Sequence, residues 1–418
     1  MKLNNKRTIL VGLAFMSICA FWQLYDNIIP LILLNTFHLK DTVSGFIMSL
    51  DNILALFMLP LFGAFSDRVN TRMGKRMPFI VLGTIVASMA MLLLPIADLM
   101  QSMLLFFVAL GLTLFAMATY RSPAVALMPD ITPKPLRSKA NAIINLMGAI
   151  GGIITLILIT LLVPKTAQPN YFPLFLSIAS IMLLSVAILF ITIKEKKLRI
   201  EEEPDDEQVN KAQNTMAPEV KRSLMFILFS VAFWFMGYNA VTTAFSKYAN
   251  VVWGLSGGEF AKPMMVATVA AIISYIPVGS LSSRFGRKKM ILAGVILLAL
   301  SYLSGIFFTE FSPLLNIVFG MVGIAWAMIN VNSYPMVVEM SQGCDVGKYT
   351  GTYYTFSMAA QVLTPTLSGF LLEHVGYWTL FPYAACCVGI AFILFTQVKH
   401  GDNRPEKRSL LEAFDVED

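Results

Sequence analysis

The chain has 418 residues, of which 57% are hydrophobic and only 13% charged, and its mean hydropathy is +0.71. These values exclude a soluble globular domain, which needs far more polar surface to stay dissolved. The net charge of +6 raises nucleic acid as a partner, but the placement of the basic residues argues for a membrane instead.

An apolar run of about 20 residues spans the hydrocarbon core as a helix. Lipid offers the backbone no hydrogen-bond partner, so such runs must be helical. In chain order they fall at 8–34, 43–65, 78–98, 102–128, 139–163 and 172–193, then at 223–248, 261–282, 289–309, 312–338, 350–373 and 378–397. The start of the chain, Met1 to Arg7 before the first run, superficially resembles a signal peptide. The run is too long for one and lacks a small-residue cleavage site, so it reads as the first span. With the N-terminus inside, every Lys and Arg except Lys40, Lys165, Lys247 and Lys262 falls on the inner side. This positive-inside pattern predicts a multi-pass protein of the plasma (inner) membrane with both termini in the cytoplasm.

The expected fold class is an all-α membrane protein with twelve transmembrane helices in two six-helix pseudo-symmetric bundles. The expected division is 1–193, a polar linker at 194–222 containing Glu201 to Glu207, 223–398, and a cytoplasmic tail at 399–418. The halves repeat. Ala20-Phe21-Trp22 with Asn27 recurs as Ala232-Phe233-Trp234 with Asn239. At the same offset, Gly74-Lys75-Arg76 recurs as Gly286-Arg287-Lys288, and Pro123 as Pro335. Parallel six-helix repeats are a transporter architecture, with the substrate site expected near mid-membrane at the interface of the halves.

The segment Gly63 to Arg76 reads Gly-Ala-Phe-Ser-Asp-Arg-Val-Asn-Thr-Arg-Met-Gly-Lys-Arg. It resembles the loop signature of the major facilitator superfamily. Its spacing, and the run Ala126-Leu127-Met128-Pro129-Asp130-Ile131-Thr132-Pro133 after Pro123, are similar to the glycoside–pentoside–hexuronide and sucrose-transporter-like sugar:cation symporters. The resemblance implies secondary transport of a sugar. It also implies a clasp in which Asp67 caps a helix and pairs with a basic residue, for which Arg137 is a candidate. Gly63 permits close helix approach; Arg68, Arg72, Gly74 and Arg76 complete the gating loop. Loss of the Asp67 contact is expected to cost the few kcal/mol of a charge-assisted bond, about 1.5–3. The bland reading is a solvated loop acid. The second copy carries Ser283 where the acid would be, so the clasp reads as one-sided. Melibiose-type carriers bind sugar with an aspartate where this chain has Arg121, and hold sodium with acids where it has Ala55 and Leu59. Those contacts do not transfer, which disfavours sodium.

Ionisable groups at membrane depth mark function by default. Asp26 lies about eight residues from the outer end of span one, roughly 12 Å deep, and Asp51 lies at a similar depth in span two. Two carboxylates at one level can couple, which suits proton coupling. The alternative is that one carboxyl simply caps a backbone group or remains protonated. Arg121 in span four needs an anion, or snorkels to the interface. Sugars favour aromatic faces and paired amides or carboxylates. The candidate substrate residues are therefore Tyr25, Asp26, Asn27, Asn52, Arg121, Trp234, Tyr238, Asn239, Trp326, Asn330, Tyr353 and Gln361. Each of these also suits ordinary interhelical packing.

Glycines Gly148, Gly151 and Gly152 read as close packing. Ala149 stands where superfamily exporters carry a proline, which counts against an antiporter. Cys19, Cys344, Cys386 and Cys387 show no metal or redox spacing. No Gly-x-x-x-x-Gly-Lys loop, nucleophile elbow or metal cluster is visible, so neither an enzyme nor a cofactor is expected. The sequence thus predicts a monomeric, proton-coupled sugar symporter. The alternative is a proton-coupled exporter or facilitator of another small organic solute.

Overall fold

The computed structural model describes residues 3–133, 136–166, 168–198, 217–340 and 346–402, without the side chains of residues 138 and 346–348. Most of the expected linker and all but the start of the expected tail lie outside the described residues. Among those described, the regular structure is helical: α1 (Asn5–Asn35), α2 (Asp41–Arg68), α3 (Met77–Leu99), α4 (Met103–Ile131), α5 (Arg137–Leu162), α6 (Phe172–Thr192), the short α7 (Glu195–Leu198), α8 (Pro218–Trp253), α9 (Ala261–Phe285), α10 (Arg287–Gly305), α11 (Leu315–Met340), α12 (Val346–His374) and α13 (Leu380–Thr396). The twelve long helices cover the twelve apolar runs in order. Eleven of the described helices are long and apolar enough to cross a membrane. α12 falls short because Thr355, Ser357, Gln361, Thr364, Thr366 and Ser368 interrupt its apolar residues.

The chain divides into two compact units, one of residues 1–200 with 245–265 and the other of 201–244 with 266–418. In the first, α1 packs along α5 through the glycines that the sequence marked. A Cβ at Gly148 would sit 2.7 Å from the Phe15 ring, and one at Gly151 would overlap the Met16 carbonyl. Thr155 Oγ1 donates to the Ala20 carbonyl at 3.1 Å across the same seam. Small residues let backbones approach where lipid supplies no hydrophobic drive for association. The second unit buries Trp234, Tyr302, Tyr353, Phe381 and Phe395. Long apolar side chains such as Leu104, Phe57 and Ile273 point outward, as a lipid-facing surface requires.

Prolines sit inside α1, α2, α3, α4, α9, α11 and α12. Each removes a backbone donor, and neighbouring groups must satisfy the freed carbonyls. The last carbonyls of α4, unpartnered because the helix ends there, are met by arginines. Arg137 donates to the Pro129 carbonyl at 2.8 Å and the Thr132 carbonyl at 3.2 Å, and Arg7 donates to that of Ile131 at 3.3 Å. Cations at a helix C-terminus also oppose its dipole.

Candidate transport site

The first unit gathers its charged groups around α1, α2 and α4. Asp26 and Asp51 lie within electrostatic range of one another, and Arg121 within range of Asp51. The Arg121 guanidinium also stands 5.6 Å over the Trp22 ring, so α1 and α2 share it through an aromatic face and a carboxylate. Asn52 Nδ2 donates to Asp51 Oδ1 at 2.9 Å. Tyr25 is buried between the helices and donates to the Ile47 carbonyl at 3.3 Å. Its ring packs edge-on to Trp22 at 5.5 Å. Asn27 is fully buried and its amide donates to the Gln23 carbonyl at 2.8 Å, which commits that donor to its own helix. The chemistry is two carboxylates within range of one another, one of them also near a guanidinium that lies over aromatic surface.

The second unit carries no such charge at the matching depth of the described helices. Tyr238 and Trp326 stack face to face, with centroids 3.8 Å apart and planes 8° from parallel. Phe235 meets Trp326 edge-on at 5.2 Å. The sequence offered these rings as aromatic faces for a sugar; in the structure each covers one face of the other. Trp234 is fully buried against Phe395 at 5.9 Å. Asn330 is buried, while Asn239, the second repeat's match for Asn27, and Gln361 are half-buried. Tyr353 Oη and Ser333 Oγ share a hydrogen bond of 3.0 Å, and Tyr334 packs on Tyr353.

The gating loop forms a denser network than its sequence suggests. Arg76 is buried and reaches four groups. Its Nη2 lies 2.5 Å from Asp67 Oδ1, its Nε 2.8 Å from Asp130 Oδ2, and its Nη1 bonds Ser66 Oγ and the Gly63 carbonyl. Gly63 lets α2 approach α4, since a Cβ there would sit 3.0 Å from Ser122 Oγ. Thr71 to Gly74 close a tight turn, with Thr71 Oγ1 donating to the Gly74 carbonyl at 2.7 Å. Arg68 and Arg72 are exposed and mark a charged membrane face. Arg137 was the candidate partner for Asp67, but Arg76 occupies that place while Arg137 caps α4. Asp67 is 59% exposed, so solvent screens its pair and the expected cost of its loss falls to about 0.2–1 kcal/mol.

Sequence reasoning missed the acids that finish this network. Glu195, fully buried, accepts from the backbone N–H groups of Lys75, Arg76 and Met77 at 2.7–3.1 Å. It thereby caps α3, whose first N–H groups have no partner in the helix. Gly74 has φ +123°, and a Cβ there would strike Glu195. The available signal was a lone acid among Lys194, Lys196 and Lys197. Asp130 stood in the run that carried the family resemblance.

The second unit repeats this device with different residues. Arg287 pairs with Glu339, Gly286 has φ +93°, and Asp402 Oδ1 accepts from the Lys288 N–H at 2.7 Å. The expectation of a one-sided clasp is therefore corrected. Ser283 lacks the acid, but α11 and the segment after α13 supply acids instead.

The helical fold with these paired groups defines a polytopic membrane transporter rather than an enzyme. The chain belongs to the MFS/sugar transport protein family, which it matches over residues 10–408. It is 25% identical over 422 residues to Multidrug resistance protein 2 of Bacillus subtilis (strain 168), covering 96% of this chain and 98% of that one. It is 27% identical over 140 residues to Sucrose transport protein SUC3 of Arabidopsis thaliana, covering 29% of this chain and 24% of that one. Among solved structures, the nucleoside transporter NupG aligns with a TM-score of 0.72 at 13% identity, over 94% of this chain and 100% of that one. An auto-inhibited POT family peptide transporter aligns at 0.71 and 12%, over 97% and 99%. These two likenesses show the fold alone.

Proposed function

We propose that this transporter is a proton-coupled symporter that takes up a sugar, a glycoside or disaccharide, by alternating access. The observation that carries the reading is the charge arrangement of the first unit. Asp26 lies within electrostatic range of Asp51, and Asp51 within range of one cation, Arg121, so neutrality at membrane depth calls for one more positive charge, and a proton supplies it at least cost in size. Asp26 is the principal coupling acid and Asp51 modulates it. The sugar meets Tyr25, Asn52 and Arg121 in the first unit and Tyr238, Trp326, Asn330, Tyr353 and Gln361 in the second. Both termini face the cytoplasm of a plasma membrane, the halves 1–193 and 223–398 act as the moving bundles, and the working form is a monomer. The family match and the local similarity to a sucrose transport protein support the substrate class.

The test is accumulation of labelled disaccharides in cells, with and without a protonophore. Accumulation that collapses with the proton gradient supports symport. Accumulation that survives its loss rejects proton coupling. A second reading, export of another small organic solute, is favoured by the full-length similarity to a multidrug resistance protein. It predicts no saccharide uptake, and efflux of organic solutes that the protonophore stops.

A further inference from the structure

The first unit holds a cavity that none of these roles uses. It encloses about 520 Å³, and every described residue lining it belongs to that unit. Leu31, Leu34 and Asn35 of α1 form one wall. Asn35 lies about nine residues beyond Asp26 on the same helix, roughly 13 Å along its axis, so the cavity is separate from the charged site. Asn250, Ser256 and Phe260, from the last turn of α8 and the chain after it, form a second wall. That wall is seated within the unit. A Cβ at Gly258 would overlap the Ile159 carbonyl, and Lys247 Nζ lies 2.6 Å from Asp41 Oδ1 with both side chains buried. His38, Lys165 and Tyr171 line the remainder.

The volume is that of a small-molecule site, which holds its ligand with apolar surface and a few convergent polar groups. The lining decides which ligand fits. Its only lysine among the described residues, Lys165, is already paired with Glu259 at 2.5 Å, and Asp98 stands within electrostatic range of Tyr171. An organic anion therefore meets no spare ammonium. A cation meets no carboxylate, since none is present among the described lining residues. What remains is uncharged hydrogen bonding. The Asn35 amide and the His38 imidazole have no side-chain partner among the described residues. Asn250 Nδ2 donates to the Leu255 carbonyl at 3.1 Å, which leaves its Oδ1 as an acceptor. Amides and hydroxyls that both donate and accept, beside the apolar surface of Leu31, Leu34 and Phe260, suit a ring bearing several hydroxyls on an apolar frame.

We infer that this cavity is a second saccharide site, for a neutral mono- or disaccharide, distinct from the transport site. It stands on its own lining, so sugar symport neither requires it nor falls with it. The full-length protein in proteoliposomes tests it, with native cysteines replaced and Val251→Cys, an exposed lining position, reporting access through its rate of alkylation by N-ethylmaleimide. Sucrose, maltose and glucose are each added at millimolar concentration. At least one should slow alkylation fivefold or more, while acetate and phosphate should not. Asn35→Ala should raise the half-protecting concentration at least fivefold, and Trp326→Leu, placed in the transport site, should leave it within a factor of two. Should Asn35→Ala fail to insert, Ser256→Leu, which fills the cavity, should abolish protection. Protection by none of the three sugars overturns the site, whatever their uptake. Equal protection by acetate or phosphate, or protection that neither cavity variant alters, overturns it as well. So does protection that shifts with Trp326→Leu, because the transport site then relays it. Protection without uptake of any of these sugars leaves the cavity site standing and strikes sugar symport instead.

Discussion

The two units resemble one another at their loops and differ in their middles. At the loop between its second and third long helices, each has a glycine with positive φ, an arginine paired with an acid, and an acid from the segment after its sixth long helix capping the next helix. The residues differ, yet the physics is the same, because a helix N-terminus and a buried guanidinium each require an anion whichever residue brings it. In the middle the first unit places Asp26, Asp51 and Arg121, while the second stacks Tyr238 on Trp326. The repeat thus preserves what every helical bundle must solve and varies the chemistry of its middle. Asp26 has Tyr238 as its repeat counterpart, so the acid belongs to one half alone.

The largest expected effect breaks the shared part. Arg76→Gln strands Asp130 and the Ser66 and Gly63 acceptors and should cost about 3–5 kcal/mol. Thermal unfolding in detergent should show a clear drop in midpoint. Arg287→Gln should follow in the same direction, since it strands Glu339.

Next comes the cap. Glu195→Gln keeps size and polarity but removes the charge that three N–H groups share, which costs about 1.5–3 kcal/mol. Asp402→Asn should lower the midpoint less, because Asp402 is exposed and accepts from the Lys288 N–H alone among the described contacts. Equal losses for the two would show that burial does not distinguish these caps.

A smaller effect separates the middles. Trp326→Leu keeps apolar bulk but gives up an aromatic stack worth about 0.5–1.5 kcal/mol beyond its area. It should raise the half-saturation concentration for substrate roughly threefold to tenfold while leaving the coupling ratio of protons to substrate intact, read from parallel uptake and pH-electrode traces. Loss of coupling would place the proton pathway partly in the second unit.

The smallest is Asp67→Asn, at about 0.2–1 kcal/mol. Initial uptake rates should stay within a fewfold of the parent. A total loss would mean that Asp67 acts in a state where it is no longer exposed.

The helices were legible because a membrane demands long apolar runs, and the order of the spans survives intact. Asp26 and Asp51 were legible for the converse reason, since a carboxylate inside such a run is costly. The clasp was legible only in part. Arg76 and Asp67 are close in sequence, whereas Asp130 and Glu195 reach the loop from α4 and α7, and the spacing of residues carries no signal for a contact of that range. Arg137 was plausible by charge alone, until the unpartnered carbonyls at the C-terminal end of α4 are seen to need it. Tyr238 and Trp326 were legible as aromatic, but their mutual stacking depends on how α8 and α11 pack. The pairing of Lys247 with Asp41 was hidden for the same reason, for the sequence marks Lys247 only as a basic residue outside the inner set.

The central claim is that one half holds the coupling charge at Asp26, and Asp26→Asn tests it most directly because the amide mimics the protonated carboxyl. The measurement compares accumulation of labelled disaccharide against a gradient with counterflow exchange in the same proteoliposomes. The account predicts that accumulation is abolished while exchange persists. Parental accumulation by the Asn variant would contradict it and leave Asp51 as the coupling acid.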